Sequence, residues 1–282
     1  MKCAWQQLIA ILPQWMRQDV DRQGRETLQE LRLRRNSPPR LILKGGVRDL
    51  NRSILENDIV FILNAASAYS PWAAATMSQG YLTAAGGHRI GICGTAVVKL
   101  GQISGFQRPE SLCIRVARDF PGVAAPLANV TGSILILGPP GSGKTTILRD
   151  LVRQISAVQK KQISVVDERS EIFPSYVQGF CFDTGSNVDI LTGCGKAQGI
   201  EVLLRNMSPS VIATDEITAE EDCKALLHAG WCGVDLIATA HGGSLQDLYC
   251  RPVYKLLTEN DLFDTIVVMR SDKTWKVERV NQ

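Results

Sequence analysis

Four short runs in this chain carry residue types that do chemistry together. The first spans Gly138, Pro139, Pro140, Gly141, Ser142, Gly143, Lys144, Thr145 and Thr146, in which Gly138, Gly143, Lys144 and Thr145 satisfy the pattern G-x-x-x-x-G-K-[ST]. Glycines let a backbone curl until successive N–H groups point inward at phosphate oxygens. A lysine adds a point charge for the outer phosphates, and the hydroxyl after it suits Mg²⁺. The second run, "SVIATDE", ends in Asp215 and Glu216, the third, "ISVVDERSE", brings Asp167 and Glu168, and the fourth, "VDLIATAHGG", brings Thr239 and His241. An acid beside such a loop holds Mg²⁺ through water, and a neighbouring carboxylate orients or deprotonates an attacking water. That second carboxylate, Glu216, points to hydrolysis rather than transfer, because a transferase must keep water out. Neither an N-K-x-D guanine-reading motif nor the L-S-G-G-Q signature of transporter ATPases is present. A nucleoside triphosphate with Mg²⁺ is therefore the expected ligand pair. A polar group at Thr239 or His241 could sense the γ-phosphate, although histidine is also a common capping or buried residue, and both readings stand.

These residues need a scaffold that gathers strand ends. The aliphatic runs Ser133–Leu137, "QISVVD", "SVIAT", "VDLIATA" and "TIVVMR" alternate with helical segments starting at Lys144, Ile200, Ala219 and Leu245, and a hairpin strand "TWKVERV" closes the chain. Short runs apolar throughout are strands of a parallel sheet buried on both faces, where ligands meet the carboxyl ends. The expected fold is an α/β, RecA-like P-loop domain with a mainly parallel sheet over residues 126–282. Ahead of it, "FPGVAAPLANVTGS", with two prolines and two glycines, reads as a seam. Residues 1–125 predict a smaller α+β domain. It comprises a helix Cys3–Met16, strands "LQELRLRR" and "RLILK" about the turn "NSPP", a helix Ile54–Ala68, and strands near Tyr81, at "HRIGICGTAVV" and at "SLCIRVAR". The run "GCGKAQG" from Gly193 has the wrong spacing for a dinucleotide fingerprint and no aliphatic strand before it, so it is read as a flexible glycine loop.

Composition narrows the class. Over 282 residues, hydrophobic residues make up 45% and charged residues 21%, an ordinary globular balance long enough for two cores. Eight cysteines are scattered without a C-x-x-C, which argues against a zinc site or a disulfide framework and for a reducing cytosol. The N-terminal apolar run stops at Pro13 without a cleavage site, so no signal peptide is expected. The stretch from Ile59, broken by Asn64, Ser67, Ser70 and Pro71, is too short for a bilayer span and reads as a buried helix ending at a turn. The net charge of +3 divides unevenly: residues 1–125 hold 16 Lys and Arg against 9 Asp and Glu, and the remainder 15 against 19. A basic front and an acidic back suit head-to-tail packing of copies or an anionic partner for the front, though solvated surface charge explains them equally.

Beyond these motifs, the chain resembles the secretion and pilus-motor ATPases of the type II and type IV systems, and within them a branch that works in endospore formation. The resemblance runs over nearly the whole length and rests on "ELRLRRNSPPRLIL", "GGHRIGICGTAVV", "SLCIRVARDFPGVA", "GPPGSGKTTILRDLVRQIS", "VVDERSEI", "MSPSVIATDEI" and "GVDLIATAHG". It implies that Asp167 and Glu168 fall in an aspartate box, Asp215 and Glu216 in a Walker B motif, and His241 in a histidine box. It also implies ATP as the nucleotide and a homo-oligomeric ring, a hexamer, with arginines reaching the phosphates; Arg89, Arg115 and Arg118 are the candidates, ahead of Arg32, Arg34 and Arg35. The implied role is that of a cytoplasmic, mother-cell ATPase docking on membrane-embedded channel or secretion proteins. Two departures stand out: Asp215 occupies a position usually held by Gly in the motors, and Thr218 follows "DEI" where Gly is expected. The identity of the base is thereby left open among the carboxylates. Two other functions remain, a nucleic-acid-stimulated ATPase and a nucleotide-gated scaffold. The first is disfavoured because the Arg-rich strings carry few aromatic platforms, and the second because Glu216 is present.

Overall fold

Pro13 decides how the chain begins. Its extended backbone (φ −55°, ψ 141°) interrupts the single helix expected over Cys3–Met16, giving α1 (Trp5–Ala10) and α2 (Gln14–Asp21) instead. The structure is a computed structural model and describes residues 1–68, 77–78, 80–176 and 179–279. The chain forms two compact units, residues 1–119 with 174–182 and residues 120–173 with 183–279 of those described. The polypeptide thus passes from one unit to the other after Asp119, after Phe173 and after Phe182, whereas the sequence alone suggested one boundary at residue 125.

The first unit is built on an antiparallel sheet. Its strands are β1 (Leu28–Arg34), β2 (Arg40–Leu43), β3 (Gly46–Asp49), β4 (Tyr81–Thr83), β5 (Arg89–Lys99) and β6 (Gln102–Arg115), in the order β3-β2-β1-β6-β5-β4. Alternation in "LQELRLR" turns Leu31 and Leu33 into a core shared with Leu8, Leu12, Met16 and Val20, and with Ile59 and Ile62 of α3 (Glu56–Ser67). The turn expected after α3, at residues 69–75, lies outside the described residues. A fully buried His88 ties the unit together: its Nε2 donates to the Ala4 carbonyl (3.0 Å) and its Nδ1 accepts the Ala117 N–H (3.1 Å). β6 is longer than "SLCIRVAR" suggests. It starts at Gln102 and forms one continuous hairpin with β5, with Gly94 placed where any Cβ would collide with the Arg108 carbonyl. Residues 174–182 add the small hairpin β9 (Ser175–Tyr176) and β10 (Gly179–Phe180), whose Pro174 and Phe182 flank Gly87.

The second unit carries a seven-stranded sheet of β7 (Ile134–Gly138), β8 (Ile163–Asp167), β11 (Val188–Thr192), β12 (Val211–Thr214), β13 (Asp235–His241), β14 (Thr265–Met269) and β15 (Trp275–Arg279). Its order is β11-β8-β12-β13-β7-β14-β15, parallel except for the β14–β15 hairpin. Every residue of β7, β8, β12 and β14 is buried, which is why these strands read as unbroken aliphatic runs. One face packs on Ile147, Leu148, Leu151 and Ile155 of α4 (Lys144–Val158). The other packs on Leu203 of α5 (Lys196–Met207) and on Leu226 and Ala229 of α6 (Glu220–Trp231). Two shorter helices, α7 (Leu245–Cys250) and α8 (Lys255–Glu259), complete this face.

Helix α4 also has a buried polar face. Asp150 accepts the N–H groups of Gly122 (3.0 Å) and Ala124 (2.7 Å) and pairs with Arg153 (3.1 Å). Arg149 donates to the carbonyls of Glu171 (2.9 Å) and Ile172, and Arg153 to that of Asp183 (3.4 Å). The helix thereby anchors main chain within its unit on both sides of the 174–182 excursion. Among the described residues no helix is long and apolar enough to cross a membrane.

Candidate nucleotide site

The glycine-rich loop leaves β7 and enters α4, with Gly143 as its helix cap at φ 99°, a conformation that L side chains resist. At Gly138 the reason for glycine is close approach: a Cβ there would lie 2.7 Å from Ser142 Oγ and 2.9 Å from Met269 Cβ. Lys144 Nζ is folded back over the loop and donates to the carbonyls of Gly138 (2.9 Å) and Pro139 (3.1 Å) and to His241 Nδ1 (3.2 Å). Burial pulls the Lys144 ammonium below its ordinary value, and the charges of Glu216 and Asp215 oppose that shift. Ser142 Oγ is buried and has no hydrogen-bond partner among the described residues. A cation folded onto its own loop carbonyls and His241, in a loop that also holds an orphaned hydroxyl, is what an anionic ligand would complete.

Strand register brings the acids to this loop. Thr214 of β12 pairs with Ala238 of β13, and His241 of β13 pairs with Gly138 of β7, so the residues that follow share the carboxyl edge of the sheet. Asp215 accepts the Thr145 hydroxyl through Oδ2 (2.9 Å), and through Oδ1 it accepts the Thr239 hydroxyl (2.6 Å) and the Glu216 N–H (2.9 Å). Glu216 Oε1 lies 2.5 Å from His241 Nε2. The imidazole therefore presents Nε2–H to a carboxylate while Nδ1 accepts from the lysine. The Tyr254 hydroxyl steadies this strand end by accepting the His241 N–H (3.2 Å). Among the described residues no three His, Cys, Asp or Glu side chains gather into a cage for a metal. The Thr145–Asp215 pair instead suits a Mg²⁺ ion that takes most of its ligands from phosphate and water.

Asp167 and Glu168 sit differently. Asp167 is buried, and both its oxygens are taken by main-chain amides, those of Glu171 (2.8 Å) and Phe173 (2.7 Å). Burial raises its carboxyl above the ordinary range, against the effect of those amide bonds. It holds the turn that follows β8, where the sequence grouped it with the chemical acids. Glu168 is paired with Lys196 Nζ at 2.9 Å. Lys196 carries no signal in the sequence, where "GCGKAQG" reads as a flexible loop with no strand before it. β11 does precede it, and Lys196 opens α5 with Gly195 as the cap.

The three arginines belong to the first unit. Arg118 donates to the carbonyls of Arg25 (2.9 Å), Val116 (3.4 Å) and Leu28, so its guanidinium serves the backbone. Arg89 stacks 4.2 Å over the Tyr81 ring. Arg115, opposite Arg89 in the β5–β6 register, is mostly exposed, and its Nε is 3.7 Å from Glu30. Arg35 is held by Glu56 (2.8 Å) and Glu110 (3.3 Å).

Comparison with known proteins gives the fold and the family. The chain is 38% identical over 272 residues to the stage III sporulation protein AA of Bacillus subtilis (strain 168), covering 92% of this chain and 88% of that protein. Among solved structures it resembles the pilus retraction motor PilT with bound ADP (TM-score 0.62, 15% identity, 94% of this chain and 83% of that one). It also resembles the ATPase DotB of Legionella pneumophila (TM-score 0.58, 14% identity, 94% and 79%). At such identities the structural likeness establishes the fold alone: a RecA-like α/β domain, with an antiparallel-sheet domain ahead of it in the chain. Residues 4–280 match the family described as sporulation stage III, protein AA, and the chain belongs to that family.

Proposed function

We propose that the chain binds ATP with Mg²⁺ on the loop from Gly138 to Thr146 and hydrolyses it. The reading is carried by one observation, the unbroken chain of contacts from Thr145 through Asp215 to Thr239 and from Lys144 through His241 to Glu216. When bound, Mg²⁺ would neutralise charge on the phosphates. Thr145 and Asp215 would hold it, while Lys144 turns from the loop carbonyls to the outer phosphates. Glu216 would orient the attacking water and accept its proton, with His241 keeping that carboxylate aimed at the loop. Glu168, fixed by Lys196, is the second candidate for the base. By likeness to the secretion ATPases, the working form is a homo-oligomeric ring, a hexamer, in which Arg89 and Arg115 are the candidates to reach a phosphate. Arg118 is left out because backbone carbonyls occupy it. The same likeness, and that to the sporulation protein of Bacillus subtilis, support work at a membrane channel complex during endospore formation, on its cytoplasmic, mother-cell side.

The test is Mg²⁺-dependent phosphate release together with nucleotide binding. Lys144→Ala should lose affinity or turnover. Glu216→Gln should still bind ATP and turn it over about 10²–10⁴-fold more slowly, the usual worth of a positioned general base. Wild-type turnover in Lys144→Ala would sink the reading, and stimulation by single-stranded DNA would favour the nucleic-acid alternative.

A further inference from the structure

The β5–β6 hairpin outgrows its sheet. β4 stops pairing with β5 at Gly91 and β1 stops pairing with β6 at Ser111, yet β5 and β6 continue together to Lys99 and Gln102. Past Ile92 and Glu110, which still bond Gly80 and Arg35, the ribbon has no strand neighbour on either edge among the described residues. At its tip, Leu100 and Gly101 both have positive φ (51° and 77°), the conformation of a two-residue type I′ turn. Such turns favour Asn-Gly, and leucine at this φ is strained by its own side chain. The strained leucine is also fully exposed, and the cross-strand pair Val98 and Ile103 behind it is 61% and 50% exposed. Local backbone preference and water both argue against Leu100, so its presence points to something it meets.

We infer that this tip is a wedge that seats in an anionic lipid surface. Strand addition by a protein partner is discouraged, because the ribbon carries three register shifts and Pro109, devices that blunt an open edge. Three aliphatic side chains also fall far short of the roughly 20–30 residues a side of a stable protein interface. They do suit the boundary between headgroups and acyl chains. The charges agree: residues 93–109 contain Lys99 and Arg108 and no Asp or Glu. Arg108 is balanced by Glu110 at 2.9 Å, whereas no carboxylate pairs with Lys99 among the described residues. A lone cation beside an apolar point matches an acidic headgroup above hydrocarbon. Each tip binds weakly, and several copies in one assembly would bind together.

The test is co-sedimentation of the full chain, without nucleotide, with vesicles of phosphatidylcholine alone and of phosphatidylcholine mixed with phosphatidylglycerol. The wild type should bind the mixed vesicles better, and less so as salt rises. Leu100→Asn should lower the partition coefficient about tenfold or more while leaving the thermal midpoint equal or higher, since Asn relieves the turn. Lys99→Glu should abolish the preference for anionic lipid. Failure of the wild type to bind either vesicle, or equal binding by Leu100→Asn, overturns the inference. So does a change in oligomeric state on Leu100→Asn with vesicle binding intact, which would assign the tip to a second copy. Because no nucleotide is present, either outcome leaves the hydrolysis reading untouched.

Discussion

Asp215 and Asp167 are both aspartates at or just past the end of a buried parallel strand, and their partners divide their work. Asp215 faces two hydroxyls and one amide, partners a metal shell can reorganise; Asp167 is closed by amides of its own chain four and six residues on. Asp167→Asn should therefore cost stability, about 1–3 kcal/mol for a buried amide left without its acceptor. The fraction that stays folded should keep turnover within severalfold of wild type, as judged by urea unfolding beside phosphate release. Loss of turnover with unchanged unfolding would instead move the base to this strand. The phosphate loop was legible because glycine, lysine and hydroxyl chemistry is local to nine residues. The occupation of Asp167 was not, since nothing in "VVDERSEI" says that the chain turns back onto the carboxylate. His88 gave no signal either, as its partners, Ala4 and Ala117, are far away in sequence. Burial holds its imidazole below the ordinary 6.5, with the Ala4 hydrogen bond opposing. The unfolded chain then binds the proton more readily, so the stability contributed is full above pH 6.5 and is lost as pH falls below it toward the folded value. In His88→Gln the unfolding midpoint should lose that dependence.

At the scale of elements, the sheet of the second unit was readable because parallel strands buried on both faces have one composition. β11 was missed because Asp189 interrupts a run of five and no residue of the strand is fully buried, which is the pattern of an edge. The distal half of β6 was missed because "GQISGFQRPE" lacks alternation: its Ile103 is exposed, whereas Phe106 packs against the core. Helix α4 shows how an element can do two jobs. Its first turn is shaped for phosphate, and its second and third fasten the seam through Asp150 and Arg153. Asp150→Ala leaves two amides and a buried guanidinium short of their acceptor. It should destabilise the second unit by about 3–5 kcal/mol, as breaking a buried pair does. The measurement is the urea midpoint; a shift within ~0.5 kcal/mol, the size of an ordinary surface change, would deny the seam its anchor.

For the whole molecule, the sequence's uneven charge leads to a prediction about assembly. If a neighbouring subunit completes each site, Arg115→Ala should lower turnover by up to about 10³-fold, the worth of an arginine acting on transition-state charge. Its stability should barely change, since the side chain is 69% exposed. Mixing it with excess Lys144→Ala protein, which keeps Arg115, should restore part of the rate, and specific activity should climb with concentration. Turnover independent of concentration, with no rescue on mixing, would remove the support for a ring. Arg118→Ala should instead unfold the first unit more easily, because three carbonyls lose their donor. The interleaving of the two units reaches into biosynthesis. Domains generally complete folding in the order they leave the ribosome. Here the first unit lacks its last hairpin until residue 182 has emerged, by which time β7, α4 and β8 are already outside. A ribosome that stalls near residue 120 holds an unfinished unit, and no single cut in the gene yields either unit as a transplantable cassette.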